Sequence, residues 1–170
     1  FRAGKLSLAQ LKQWRQKAKE PRLQKLVLMG DNSLAGEGFA PIVQRAQTLS
    51  PEVIVIDGAY MLQPEGMPPK TDHWGRLSII SNRCKRLATH LGVVLVIILQ
   101  MNRKAESRDG NVRGTLSDIY GNDQWAQDAD YVFDLGGVRG SNCRQLSLLK
   151  GRESGIGDVA ITFELDPCPR

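Results

Sequence analysis

Val53-Ile54-Val55-Ile56-Asp57 is an unbroken apolar run that ends on a single carboxylate and passes directly into Gly58. The run is too short for a helix, and β-branched side chains suit the pleated backbone, so it predicts a strand. No polar residue alternates along it, which predicts burial on both faces, as in a parallel sheet covered by helices. Open parallel sheets bind ligands outside the carboxyl ends of their strands. Asp57 would stand at that edge, placed either to hold Mg²⁺ beside a nucleotide's phosphates or only to cap the turn that follows.

Downstream, Leu77, Ile80, Cys84, Leu87, Ala88 and Leu91 fall on one stripe at helical spacing, with Arg76, Arg83, Lys85 and Arg86 mainly outside it. This predicts a helix stopped by Gly92, with His90 near its end complementing the helix dipole. Val93 to Leu99 is a second all-apolar run and ends on Gln100. Strand, helix and strand in succession build a parallel pair, so Asp57 and Gln100 are expected along the same sheet edge. A neutral amide there suits sensing a phosphate or orienting water, or is an ordinary loop residue. Between Asp57 and the helix, a Pro/Gly-rich connection from Pro64 to Lys70 is expected to be mobile.

Upstream, Ser7-Leu8-Ala9-Gln10 has the form of a capping box and opens an amphipathic helix over about residues 7–19, which Pro21 stops. Leu23 to Met29 predicts a short strand and Gly30 to Ser33 a turn. Phe39, Ile42, Val43, Ala46 and Leu49 predict a helix leading back to the Val53 strand.

Residues 101–124 are polar and glycine-containing, a long loop or pair of loops. Tyr131 to Leu135, Gln145 to Lys150 and Val159 to Leu165 then predict strands separated by glycine-rich turns, antiparallel hairpins added to one side of the parallel sheet. In the ending Lys150-Gly151-Arg152, alternation would put both cations on one side if the strand continues, with Glu153 as the nearby acid that could pair with Arg152 instead.

The 170 residues suit one globular domain. Net charge is +5, but residues 1–25 hold eight Lys/Arg against one Glu, so the rest of the chain is two charges negative. Cys84, Cys143 and Cys168, odd in number and without metal-ligand spacing, argue for a reducing compartment and against a disulfide framework. No apolar stretch reaches membrane-spanning length and the basic start lacks a signal-peptide core, so a soluble intracellular protein is expected.

Taken together, "VIVID", the amphipathic helix, "VVLVIILQMNRKAESR", "LSDIYGNDQWAQDADYVFDL" and "LLKGRESGIGDVAITFEL" resemble the second half of the RecA-type motor domain of replicative DnaB-family helicases, phage versions included. The resemblance spans nearly the whole chain. Its specific part is Gln100-Met101-Asn102-Arg103 with Glu106 and Arg108, then Leu116-Ser117-Asp118, Gln127-Asp128-Ala129-Asp130 and the Lys150-x-Arg152 pair. It implies an α/β, RecA-like (P-loop NTPase) core with a mainly parallel sheet flanked by helices and C-terminal antiparallel strands.

The same resemblance implies ATP and Mg²⁺ as cofactors, with Asp57 on the metal, Gln100 beside it, and Lys150 and Arg152 acting on a neighbouring subunit's nucleotide. Single-stranded DNA is expected at Arg103, Arg108 and Arg113 and at Tyr120, Gly121 and Asn122. Implied partners are further copies of the chain, as a ring hexamer, and a primase or helicase loader; the implied location is the cytoplasm of a bacterium or phage-infected cell, with no membrane.

There are departures. No G-x-x-x-x-G-K-[ST] phosphate loop occurs, and the family's catalytic Glu has no counterpart, so residues 1–170 are expected to be the C-terminal portion of the motor domain. Tyr120, Gly121 and Asn122 replace a basic residue, an acid and a small residue, which shifts the expected phosphate contacts there to backbone N–H groups. The alternative is a non-hydrolysing RecA-like module that binds nucleic acid or serves in assembly.

Overall fold

A computed structural model describes residues 26–30, 38–102, 114–121, 123–136, 143–153 and 155–162. The expected helix over 7–19, the loop arginines Arg103, Arg108 and Arg113, and Asn122 lie outside these residues.

The organising strand forms as expected: β1 spans Val53–Asp57 and β2 Val94–Ile98, paired in parallel from Val53 opposite Val94 to Asp57 opposite Ile98. Two helices precede and join them, α1 (Phe39–Leu49) and α2 (His73–Leu91). Asp72 caps α2, its side chain accepting from the Gly75 N–H at 2.8 Å, and Gly92 closes it. The predicted stripe is the buried one: Leu77 and Ile80 are fully buried, and Cys84 and Leu87 nearly so, against Phe39, Ala59, Leu62 and Trp125. Each fully buried side chain of this size contributes roughly 1.5–3 kcal/mol, so this helix face anchors the fold. Burial pushes the Cys84 thiol up to about 12, with the nearby Asp128 charge adding to it.

The sheet departs from the expectation of burial on both faces. Ile56, Leu95 and Ile97 pack on the core, whereas Val53, Val55, Val94, Val96 and Ile98 are exposed. The reason is that the described helical packing reaches only one face, and successive side chains of a strand point to opposite faces. The strand expected at 23–29 also differs: its described part, residues 26–29, is exposed and forms no ladder. Propensity alone does not pair this run, although the two-stranded sheet leaves the outer edges of β1 and β2 open among the described residues.

Within the Pro64–Lys70 connection, Glu65 is tied to both neighbouring helices. One Glu65 carboxylate oxygen accepts from the Ala40 N–H at 3.0 Å, at the start of α1. The other pairs with Arg83 of α2 at 3.2 Å, and the Glu65 carbonyl accepts from the same guanidinium at 2.6 Å. The Ala40 N–H first, with Arg83 assisting, holds the Glu65 carboxyl below its usual value.

Strands β3 (Tyr131–Gly136), β4 (Cys143–Gly151) and β5 (Gly157–Thr162) are antiparallel neighbours in that order. Among the described residues they form a sheet of their own and share no ladder with β1 and β2, which corrects the expectation of one extended sheet. The junction is made by side chains instead. The Gly114 N–H donates to the buried Asp134 carboxylate at 2.8 Å, and a Cβ on Gly114 would lie 2.8 Å from both Asp134 Cγ and Met101 Cε.

Candidate active site

β1 and β2 end side by side. The Gly58 N–H donates to the Ile98 carbonyl at 3.0 Å, continuing the ladder one step beyond Asp57. Asp57 and Gln100 are both exposed along this edge, as the strand order predicts. Beyond Gln100 the chain returns antiparallel to itself: the Tyr120 N–H donates to the Gln100 carbonyl at 3.0 Å, the Asn102 N–H to the Asp118 carbonyl at 2.6 Å, and Met101 bridges Ile119. The base of the long loop is therefore tied to the edge that carries the two candidate residues.

Tyr120 and Gly121 have structural reasons to be where they are. Gly121 has φ 99°, and a Cβ on it would lie 2.3 Å from Leu77 Cδ1, so only glycine lets this loop close on α2. The Tyr120 ring meets Tyr60 edge-on at 5.8 Å and His73 at 6.2 Å, and His73 meets Trp74 at 5.6 Å. The sequence reading missed Tyr60, His73 and Trp74. Their positions just after β1 and at the start of α2 carry no periodic signal that links them to Tyr120.

The second cluster is built on Gln127-Asp128-Ala129-Asp130. Helix α3 (Gln124–Asp128) is a single turn, too short to be stable alone, and the fold fixes it at three points. Trp125 inserts into the core; Asp128 accepts from Ser81 of α2 at 2.7 Å; and Lys150 covers its carboxyl end. The Lys150 ammonium donates to the carbonyls of Ala126 at 2.6 Å, Gln127 at 3.1 Å and Ala129 at 2.8 Å. Those are the acceptors that a helix end leaves without intrahelical partners, and a cation there also meets the negative end of the helix dipole.

Arg152 lies one residue beyond β4. Its guanidinium pairs with Asp130 at 3.0 Å, and its N–H donates to the Asp130 carbonyl at 3.0 Å. Its acid is thus Asp130, where Glu153 is the alternative partner the sequence offers. The other Asp130 oxygen takes the Lys85 ammonium of α2. The Lys85 hydrogen bond above all, with the charges of Lys85, Arg152 and Lys150, holds the Asp130 carboxyl below its usual value. The condition for alternation is not met, because β4 ends at Gly151, and the two cations bond separate acceptors of their own chain: Lys150 the carbonyls around the end of α3, Arg152 the Asp130 carboxylate. A register shift between Val132 and Phe133 leaves Leu149 as the extra residue of β4 and aims Lys150 toward α3.

The model of the DnaB-like helicase C-terminal domain family matches residues 1–167. This chain belongs to that family. The chain is 34% identical over 96 residues to the replicative DNA helicase DnaB of Treponema pallidum (strain Nichols), a match covering 56% of this chain and 21% of that protein. Among solved structures, one described as an ATPase domain superposes with a TM-score of 0.67 at 25% identity, over 76% of this chain and 49% of that one. A DnaB-like replicative helicase, solved in a study of its interactions with primase, superposes with a TM-score of 0.66 at 24% identity, over 77% and 34%. The DnaB-family match thus extends over nearly all of this chain, while the chain spans half or less of each of these relatives. Of the sequence signatures of the DnaB-family resemblance, those on described residues fall on two clusters: Asp57, Gln100 and Leu116-Ser117-Asp118 at the sheet edge, and Gln127 to Asp130 with Lys150 and Arg152 at the α2–α3–β4 junction.

Proposed function

We propose that this chain is part of the motor of an ATP-dependent replicative DNA helicase, supplying the metal-linked acid and an interfacial cation, and translocating on single-stranded DNA as a ring of identical subunits. The observation that supports it most is the exposed pair Asp57 and Gln100 at the adjacent carboxyl ends of β1 and β2, in a chain of this family. The donor set suits Mg²⁺ held mainly by phosphates and water. A single carboxylate at a strand end would serve as one ligand or hold a metal-bound water. Mg²⁺ bound with ATP would neutralise charge on the phosphates. Asp57 would orient that assembly, and the Gln100 amide, just past the end of the neighbouring strand, would report on the terminal phosphate or position water.

Arg152 is the cation best placed for a neighbouring subunit's nucleotide. Its side chain is 57% exposed, and a surface pair such as that with Asp130 is worth at most about 1 kcal/mol, so exchange for a phosphate is cheap. Lys150 can join it only after releasing three carbonyls. The loops at 103–114 and 118–124 are the proposed contact for single-stranded DNA, and a primase or a loader is a proposed partner.

Asp57→Asn in the complete protein should abolish ATP hydrolysis while the fold is kept. Mixing such subunits with Arg152→Ala subunits should restore part of the activity, because some interfaces would then carry one intact metal site and one intact cation. Near-normal turnover in Asp57→Asn refutes the metal assignment; exchange of subunits without recovery refutes action in trans.

A further inference from the structure

The four rings at the sheet edge form a surface unlike the open face of the neighbouring strands. The exposed apolar residues of β1 and β2 are aliphatic, Val53, Val55, Val94, Val96 and Ile98, whereas Tyr60, Tyr120, His73 and Trp74 follow one another in space with each successive ring pair within 6.2 Å. None of the three contacts is a parallel stack, their interplanar angles being 68°, 72° and 64°. Trp74 is 56% exposed and Tyr120 37%.

Two of the four residues are anchored through the backbone. The Tyr60 carbonyl accepts from Arg76 at 3.1 Å, the Tyr120 N–H is fixed to Gln100, and Gly121 seats the loop on Leu77. His73, Trp74 and Tyr120 are exposed while Tyr60 backs them from the core, and exposed rings with polar edges suit flat ligands that are themselves polar at the rim. Nucleobases are such ligands, and stacking on them tolerates any sequence because every base has a π-face.

We propose that Tyr60, His73, Trp74 and Tyr120 are a stacking platform for the bases of single-stranded DNA, with Trp74 and Tyr120 making the direct contacts. The inference rests on the reading that the adjacent loops contact the strand, and Tyr120 belongs to one of those loops. It adds a component of a different physical kind. Phosphate contacts release counterions, so their contribution falls steeply with salt, whereas stacking is nearly independent of salt.

The test is binding of the complete protein to a fluorescent oligo-dT and to an abasic strand of the same length, across a series of salt concentrations. Trp74→Ala and Tyr120→Ala should each weaken oligo-dT binding by about tenfold. The slope of log K against log salt should be unchanged, abasic binding should be unaffected, and Trp74→Phe and Tyr120→Phe should retain most of the affinity. Charge removal at Arg108 or Arg113 should instead lower the slope. Equal losses for oligo-dT and abasic strands, a lowered slope, or no loss in the alanine variants overturns the platform while leaving the loop contacts standing. A parent protein that binds neither strand overturns both. Trp74 lies on the exposed first turn of α2, so its alanine variant keeps the core intact and the comparison readable.

Discussion

Replacing Lys150 with Met keeps the length and apolar stem of the side chain and removes only the ammonium. The carbonyls of Ala126, Gln127 and Ala129 then lose their shared donor. A hydrogen bond to a charged group contributes about 1.5–3 kcal/mol, but the three are not additive, since one ammonium makes them all and the Gln127 bond is exposed to water that can replace it. A loss of about 2–3 kcal/mol follows. For a domain of this size that corresponds to a fall in Tm of roughly 4–12 °C.

Urea unfolding of parent and variant, with far-UV and near-UV circular dichroism as separate probes, measures the difference. The midpoint should fall with the slope m unchanged. Arg152→Ala is the internal reference: it removes an exposed ion pair and should cost no more than about 1 kcal/mol. If Lys150→Met is no more destabilising than Arg152→Ala, Lys150 does not cap α3 and the account of this junction is wrong.

Two further outcomes test the same architecture. Gly121→Ala places a Cβ against Leu77 Cδ1 at a backbone φ of 99°, so it should destabilise by about 2–4 kcal/mol in thermal melts; a loss under about 0.5 kcal/mol would show that the loop does not close on α2. Asp130 has a folded-state pKa below its ordinary 3.8, so its contribution is complete above that value and disappears as pH falls through the lowered one. Asp130→Asn should therefore be less stable than the parent at neutral pH, with the difference closing below about pH 4 in acid titrations followed by circular dichroism; a gap that persists to low pH would assign the effect to packing rather than charge.

The sequence by itself determined the elements whose evidence is local. The bounds of β1, the stripe of α2 and its stop at Gly92, and the parallel order that puts Asp57 and Gln100 on one edge all follow from periodicity within a few turns or steps of chain. The family signatures were equally legible, because they are strings of adjacent residues. Only the tertiary structure decided which groups those strings touch. Asp128 meets Ser81 across 47 positions and Asp130 meets Lys85 across 45, and nothing in the spacing of Gln127-Asp128-Ala129-Asp130 names those partners. Alternation would put Lys150 and Arg152 on one side only if β4 ran through both, but β4 ends at Gly151, and the carbonyls around a five-residue helix are the partners of Lys150. Likewise, an unbroken run of Val and Ile says that a strand is apolar on both faces, not that both are covered. Periodicity is a property of neighbours along the chain, whereas coverage, capping and the meeting of Tyr60 with Tyr120 depend on which distant segments the fold brings within reach.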